Sequence, residues 1–389
     1  YVASGVTLVR NLWGSQEVLE FRRQIEAREI VGPRIVTAGP IVDGDPPVGP
    51  PMAVVVDPAG ARAVMDEQKA AGYDFLKIYD GVSREVFDAV AAYSKEIDFP
   101  FAGHVPIDVP LDVATRSGMV SIEHLMEWDR ATAVAGSPLE EALKTRVWTE
   151  QLRNMAVLSR QVATGALSTE QLFDADRRRT MALLAAETGI WNVPTVNLPR
   201  QALPSRRQVA VQRARPEMRF VAPATLDLWS DPTWDTRFVE LSDEDREALQ
   251  VFLFDEYLRR VKALHDAGAG LLIGSDSPNP FVLYGVAVHQ ELAFFVEAGL
   301  RPYDALVAAT RAPAEFLNDE SFGTIEEGKF ADLVLLDANP LADIGATRAI
   351  AGVSLHGRWL PRAELDAMLE AIAAGYASST DCAKRCSAV

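Results

Sequence analysis

The segment Phe75-Leu76-Lys77-Ile78-Tyr79 is an apolar run of strand length with a lysine at its centre. Two further short apolar runs follow at residues 99–105 and 119–125, and helical spacing of apolar residues separates the three runs. Alternation of short strands with helices is typical of parallel sheets, because each parallel crossover needs a long connection. Further strands are predicted on both sides of these runs, at residues 5–10, 34–38, 191–196 and 271–275.

Seven such strands predict an α/β fold, and in particular a (β/α)8 TIM-type barrel that lacks its first strand in this sequence. Short antiparallel strands are predicted after the barrel, and they form a small β-sandwich unit at the C-terminal end. The predicted organisation is a barrel with helical insertions over residues 1–318, a C-terminal β-sandwich segment over 319–362, and a C-terminal helix with a loose tail over 363–389. Two insertions follow strands, at residues 39–58 and 127–185, and are candidate walls of a pocket.

Composition narrows the classes of partner. The 389 residues carry a net charge of −17, which opposes binding to phosphate backbones, so nucleic-acid binding is disfavoured. No apolar run approaches the ~20 residues that a membrane-spanning helix needs, and we predict no membrane span. The expected partner is a small-molecule substrate, and a homo-oligomer is left open.

The cysteines and the N-terminus bear on the cellular compartment. Only Cys382 and Cys386 occur, both near the C-terminus and outside any apolar pattern, so neither a core disulfide nor a buried cysteine metal site is expected. Cytoplasm is the default compartment. A leader before Tyr1 would instead indicate a periplasmic or secreted form, in which the two cysteines would be able to pair.

Polar residues able to bind a metal stand at the carboxyl ends of three predicted strands, where barrel enzymes do their chemistry. His104 follows Phe101-Ala102-Gly103, and His124 follows Ser121-Ile122-Glu123 one βα unit later, so neighbouring strands carry them. Asp276 ends the last predicted strand. Two imidazoles and a carboxylate suit a divalent cation such as Zn²⁺.

Lys77 is unusual because it is a charged residue inside an apolar strand. Burial disfavours a charged amine, and an uncharged amine is able to add CO₂ and become a carbamate, an anionic ligand that can bridge two metals. Tyr79 shares the face of Lys77 by the period of two, as a hydrogen-bond donor to a substrate carbonyl oxygen or as a core residue. Ordinary interpretations remain open too: Lys77 paired with Asp80, strand-end histidines satisfied by hydrogen bonds, and Asp276 capping a turn.

These segments together resemble the metal-dependent amidohydrolase superfamily, in the branch of imidazolonepropionases and prolidase-like dipeptidases. The resemblance runs from residue 3 to about 360 and rests on Ala3-Ser4-Gly5-Val6-Thr7-Leu8-Val9-Arg10-Asn11, Phe75-Leu76-Lys77-Ile78-Tyr79, Ala102-Gly103-His104, Ile122-Glu123-His124, Ile273-Gly274-Ser275-Asp276-Ser277 and Gly323-Thr324-Ile325-Glu326-Glu327-Gly328-Lys329-Phe330-Ala331-Asp332-Leu333-Val334.

The resemblance implies a role for each matching residue. Lys77 would be the carboxylated lysine that bridges two metals, and His104 and His124 would bind the second metal. Asp276 would bind the first metal and handle the proton of the attacking water. The implied cofactor is a divalent metal, Zn²⁺ in one or two copies, and the implied activity is hydrolysis of carbon–nitrogen bonds in amides, dipeptides or cyclic amides through a metal-activated water.

One departure affects this reading. The family's first barrel strand ends in a His-x-His pair that binds the first metal, and none of the five histidines here stand two apart. Either the sequence is incomplete at its N-terminus, or the protein retains only part of the first-metal site. The alternatives to a C–N hydrolase are a catalytically inactive ligand-binding barrel, a truncated fragment of such an enzyme, and another metal-barrel chemistry such as decarboxylation or isomerisation.

Overall fold

The computed structural model describes residues 1–47, 52–201, 204–231 and 240–378. The strands in these ranges are β1 Leu8–Asn11, β2 Arg34–Thr37, β3 Val42–Asp43, β4 Ala53–Val54, β5 Leu76–Ile78, β6 Phe101–Gly103, β7 Ser121–Glu123, β8 Trp191–Val193, β9 Gly270–Leu271, β10 Leu333–Leu336, β11 Ile350–Leu355 and β12 Arg358–Pro361. The α-helices are α1 Gln16–Glu26, α2 Pro58–Ala71, α3 Arg84–Ile97, α4 Leu111–Arg116, α5 Trp128–Thr132, α6 Pro138–Ala142, α7 Trp148–Ala163, α8 Ala175–Thr188, α9 Asn197–Gln201, α10 Arg206–Arg213, α11 Pro223–Ser230, α12 Asp243–Ala267, α13 Val286–Glu297, α14 Pro302–Ala309, α15 Arg311–Leu317 and α16 Arg362–Ser378.

A central parallel sheet carries the fold, as the alternation of strands and helices predicted. Strands β5 to β9 pair in parallel with their neighbours in chain order, and β3 pairs with both β4 and β5. The parallel pair β1–β2 joins this sheet through a single bridge between Ala38 and Phe75. All seven predicted strands are therefore present, and the α/β assignment of the fold is confirmed.

Two short strands lie where the sequence analysis placed only an insertion, at residues 39–58. Strand β3 follows β2 after a break at Gly39 and Pro40, and it continues the same path because Val42 pairs with Ile78 of β5. Proline has no backbone N–H to donate, so the ladder is interrupted there. With two residues each, β3 and β4 are too short to show a strand period in the sequence.

The edge strand β9 is covered by helices from later in the chain. The amide of Ile273 donates to the carbonyl of Ala308 in α14, which extends pairing beyond the end of β9. Phe316 of α15 packs edge-on against Trp191 of β8 and lies 4.8 Å below the guanidinium of Arg10 in β1. The α14–α15 segment thus contacts β1, β8 and the segment that follows β9.

Helix α12 brings the helical insertions against the barrel. The Ser242 side chain caps its first turn, and Gly268 ends it in the left-handed conformation at φ 76°. The fully buried Arg260 of α12 bonds to Asp129, while Arg178 of α8 binds Glu256 of α12 through two bonds of 2.9 and 3.1 Å. These buried charges fix how α5 and α8 sit on α12, because an unpaired charge there would be costly.

The last part of the chain is the predicted antiparallel unit. Strands β10, β11 and β12 form one antiparallel sheet in that order, and α16 packs on it. The boundaries drawn at residues 318 and 362 remain predictions, and Cys382 and Cys386 lie outside the described residues. Among the residues described, no helix has the length and apolar character that a bilayer span requires.

Candidate active site

The structure brings Lys77, His104 and His124 together at the carboxyl ends of three adjacent strands. Lys77 of β5 pairs in register with Ala102 of β6, and Gly103 of β6 pairs with Ile122 of β7. Each histidine directly follows its strand, so the two imidazoles meet with 4.8 Å between ring centroids and an interplanar angle of 89°. This is the neighbour relation that the strand spacing predicted.

Lys77 is 2% exposed. Burial lowers the pKa of its amine to about 8, while the carboxylates of Glu123, Asp276 and Asp80 act in the opposite direction. Asp80 acts on Lys77 through its charge, and its Oδ1 lies 2.7 Å from Nδ1 of His104. The amine is thus partly uncharged near neutral pH, which is the form that reacts with CO₂.

The Asp80 contact defines the protonation of His104. Burial raises the pKa of Asp80 to about 6, so at neutral pH the group is a carboxylate and accepts a hydrogen bond from Nδ1–H of His104. Burial and the nearby Lys77 hold the pKa of His104 well below its usual value, so its ring is neutral. Nε2 is therefore the nitrogen with the free lone pair, which is the usual arrangement for a metal-binding histidine.

The same reasoning applies to His124 through a hydroxyl. The Thr195 hydroxyl donates to the carbonyl of Pro194 at 2.7 Å, so its oxygen is left to accept from Nδ1–H of His124 at 2.8 Å. Burial lowers the pKa of His124, which keeps the ring neutral. Tyr257 of α12 donates its hydroxyl to the His124 carbonyl at 2.7 Å and fixes the backbone. Nε2 of His124 is thus also free to bind a cation.

Asp276 does not end a strand as predicted, because β9 ends at Leu271 and Asp276 lies exposed in the loop that follows it. The Asn279 side chain donates to the Asp276 carbonyl at 2.7 Å and to its Oδ2 at 2.8 Å. Its charge acts against the lowering of the pKa of Lys77, His104 and His124, so it lies close enough to interact with all three. Within the described part of the chain, however, no three His, Cys, Asp or Glu side chains are grouped closely enough to hold a metal ion.

Tyr79 packs directly on the site. Its ring stacks on His104 with 4.0 Å between centroids and an interplanar angle of 29°, and Nζ of Lys77 lies 5.9 Å from the ring centroid. The predicted shared face with Lys77 therefore exists. Stacking on His104 is a contact that the sequence analysis did not foresee, and the hydroxyl's role toward a substrate stays a prediction.

Left-handed backbone conformations are concentrated at this end of the sheet. His124, Leu125, Thr195, Asp276 and Phe281 have φ values of 59°, 49°, 51°, 53° and 62°. Non-glycine residues adopt this region at a cost in free energy, and such strain collects at functional sites. The backbone thus marks the same location as the side chains.

Sequence reasoning missed a charged cluster beside Lys77. Arg10 of β1 donates to Oε1 of Glu123 and to Oγ of Ser121, both at 2.9 Å, and Ser121 donates to the same Glu123 oxygen at 2.6 Å. Arg10 and Lys77 lower the pKa of Glu123 against the effect of its burial. The signal was the alternation of polar residues at 121 and 123 along β7, which places both on one face.

The remaining histidines have other surroundings. His289 of α13 is buried, with its Nδ1 3.0 Å from the Thr347 hydroxyl oxygen and its Nε2 3.1 Å from the carbonyl oxygen of Ser4. His265 lies 3.8 Å from Asp304 near the end of α12. None of the contacts that the structure shows for these residues involves Lys77, His104 or His124.

The chemistry of the donor set fits a divalent cation. Two neutral imidazoles with free Nε2 lone pairs adjoin a buried amine whose lowered pKa favours a carbamate. Imidazole and anionic oxygen are ligands that Zn²⁺ accepts. Lys77, His104 and His124 are thus suited to hold such an ion.

Comparison with known proteins identifies the family and the fold. The amidohydrolase family matches residues 1–360. The solved structure of bottromycin amidohydrolase superposes with a TM-score of 0.73 at 26% identity, covering 96% of this chain and 75% of that one. A Xaa-Pro dipeptidase (TM-score 0.59, 20% identity, 92% and 76% covered) and ochratoxinase from A. niger (0.59, 18%, 92% and 73%) share the fold. No curated protein matches significantly. The chain belongs to the amidohydrolase family and is a hydrolytic enzyme that acts on amide bonds.

Proposed function

We propose that this hydrolase is metal-dependent, that His104, His124 and a carboxylated Lys77 hold one or two divalent cations, and that Zn²⁺ is the cation. The observation that carries the proposal is the meeting of the two imidazoles beside a buried lysine, with both Nδ1 atoms already bonded. The substrate class is a small molecule with an amide, dipeptide or cyclic amide C–N bond.

The carbamate would form without help from a strong base. The uncharged Nζ of Lys77 attacks CO₂, a new N–C bond forms, and one proton is released to solvent. The pKa of about 8 leaves about a tenth of the amine uncharged at pH 7, against well under 0.1% for an ordinary lysine. Burial of Lys77 thus prepares it for this modification.

Asp276 and Tyr79 are the side chains that we expect to act in the remaining steps. A bound divalent cation supplies acidity that brings the pKa of water close to neutral. Asp276, exposed at the rim, accepts the proton of the attacking water and delivers it to the leaving amine. Tyr79, fixed by its stacking on His104, donates its hydroxyl to the carbonyl oxygen as negative charge develops there.

The proposal is tested with a panel of dipeptides, N-acyl amino acids and cyclic amides, assayed before and after dialysis against a chelator. We expect hydrolysis of at least one substrate class, its loss on chelation and its return with Zn²⁺. Full activity after complete removal of metal would overturn the metal dependence.

Tyr79→Phe separates the hydroxyl from the ring. The phenyl ring keeps the stacking on His104, and loss of one donor to a developing oxyanion lowers kcat by about 10²-fold. Metal content should stay at the wild-type level. An unchanged kcat would show that Tyr79 is a packing residue only.

A further inference from the structure

The turn between β8 and α9 contains a backbone conformation that is unfavourable for its residue type. Thr195 is β-branched and has φ 51°, a value that such residues rarely adopt. Strain of this kind persists only where surrounding contacts determine the backbone. Thr195 also supplies the oxygen that accepts from Nδ1–H of His124, so the turn and the imidazole are linked.

The contacts that hold this turn come from Glu291 on α13. Glu291 is completely buried, and its Oε1 accepts from the backbone amide of Asn197 at 2.6 Å and from the Asn197 side chain at 2.8 Å. Asn197 Nδ2 also donates to the carbonyl of Ala287 at 3.1 Å, and the Leu198 amide closes the turn on the Thr195 carbonyl at 3.0 Å. One side chain of α13 thus fixes the residue two positions after Thr195.

These contacts determine which imidazole nitrogen of His124 carries the hydrogen. Because the Thr195 hydroxyl hydrogen goes to Pro194, the oxygen can only accept, and it selects the tautomer of His124 with hydrogen on Nδ1. If the turn relaxed, this acceptor would move away and His124 would be free to carry its hydrogen on Nε2. That tautomer has no lone pair on Nε2, the nitrogen that would bind a cation.

We propose that Glu291 and Asn197 are positioning residues that keep the Thr195 turn in place and thereby hold His124 in its metal-binding tautomer. The inference rests on the proposed function for its consequence in metal binding. The tautomer itself exists without metal, so it can be examined separately.

The first test is the ¹⁵N–¹H imidazole NMR spectrum of the metal-free, histidine-labelled full chain, with the His124 signals assigned by their loss in His124→Gln. We expect hydrogen on Nδ1 in the wild type. Glu291→Met removes the acceptor at similar side-chain length and should shift His124 toward the Nε2–H form. Burial raises the pKa of Glu291 to about 8, so glutamine closely imitates the protonated acid, and Glu291→Gln should keep the wild-type tautomer.

The second test is Zn²⁺ affinity by competition with a chelator. Loss of a contact that orients a ligand costs metal binding about 10- to 100-fold, and we expect this for Glu291→Met, with Glu291→Gln within about threefold of the wild type. Leu292→Ala is the matched control, because Leu292 on the same helix packs into the main core. It should lower Tm and leave Zn²⁺ affinity and the tautomer unchanged.

The outcomes separate the two proposals. Wild-type His124 with Nδ1–H but no Zn²⁺ binding would overturn the proposed function and leave the positioning role standing. A wild-type Nε2–H tautomer, or Glu291→Met with the wild-type tautomer and affinity, would overturn the positioning role. If Glu291→Met does not fold, Asn197→Ala takes its place, because this variant keeps the backbone hydrogen bond to Glu291 and loses only the side-chain bond. The positioning role then predicts at least a threefold loss of Zn²⁺ affinity in Asn197→Ala.

Discussion

Asp276→Asn is expected to lower kcat for amide hydrolysis by about 10²- to 10⁴-fold, the range for loss of a general base. The amide of asparagine does not accept a proton, so neither the attacking water nor the leaving amine would be served. The turn should survive, because the asparagine oxygen still accepts from Asn279, which bonds the native carboxylate at 2.8 Å. Steady-state kinetics and thermal unfolding, measured on the same preparation, check both parts.

Asp255→Asn is the matched control for this substitution. Asp255 is an exposed carboxylate on α12, so the same chemical change there should leave kcat within about twofold. A loss of less than tenfold in Asp276→Asn would remove Asp276 from the role of proton acceptor. A large fall in Tm would instead assign the effect to the turn.

Lys77→Met is expected to abolish activity and to remove a carbamate signal that ¹³C NMR detects after ¹³C-bicarbonate is supplied. Methionine fills a similar volume in this buried position but has no amine to add CO₂. Lys262→Ala is the control, since the side chain of that lysine is 42% exposed and pairs with Asp266. A carbamate signal of wild-type size in Lys77→Met would place the modification elsewhere.

The pH dependence of carbamate formation follows from the pKa of Lys77. Only the uncharged amine reacts, so at constant dissolved CO₂ the rate should rise about tenfold per pH unit below pH 7 and level off above about pH 8. An ordinary lysine would continue to rise beyond pH 9. A continued rise would contradict a lowered pKa at the reactive amine.

The sequence was sufficient to predict the residues that neighbouring strands carry. Lys77, His104 and His124 come together because parallel strands in chain order present their carboxyl ends at one edge, and a strand period is readable in five residues. The antiparallel strands β10 to β12 were predicted from the same strand period. The periodicity of apolar residues thus predicts where the residues of a regular element lie.

Residues in turns were not predictable in this way. Thr195 contacts His124 from a turn in which its φ is left-handed, and Glu291 contacts Asn197 across almost a hundred residues of chain. Neither contact leaves a periodic signal in the sequence. Asp80 was considered only as a partner of Lys77, yet its Oδ1 contacts Nδ1 of His104 from the turn that follows β5. Strands β3 and β4 were missed because two residues show no period.

If Lys77, His104 and His124 hold a catalytic metal, the amount of metal bound per chain will report it. The protein is supplied with Zn²⁺ and bicarbonate, freed of excess metal, and measured by elemental analysis beside Lys77→Met. We expect one or two Zn²⁺ per chain in the wild type and a loss of bound Zn²⁺ in the variant. A folded wild-type chain without metal, or equal metal in both proteins, would contradict it.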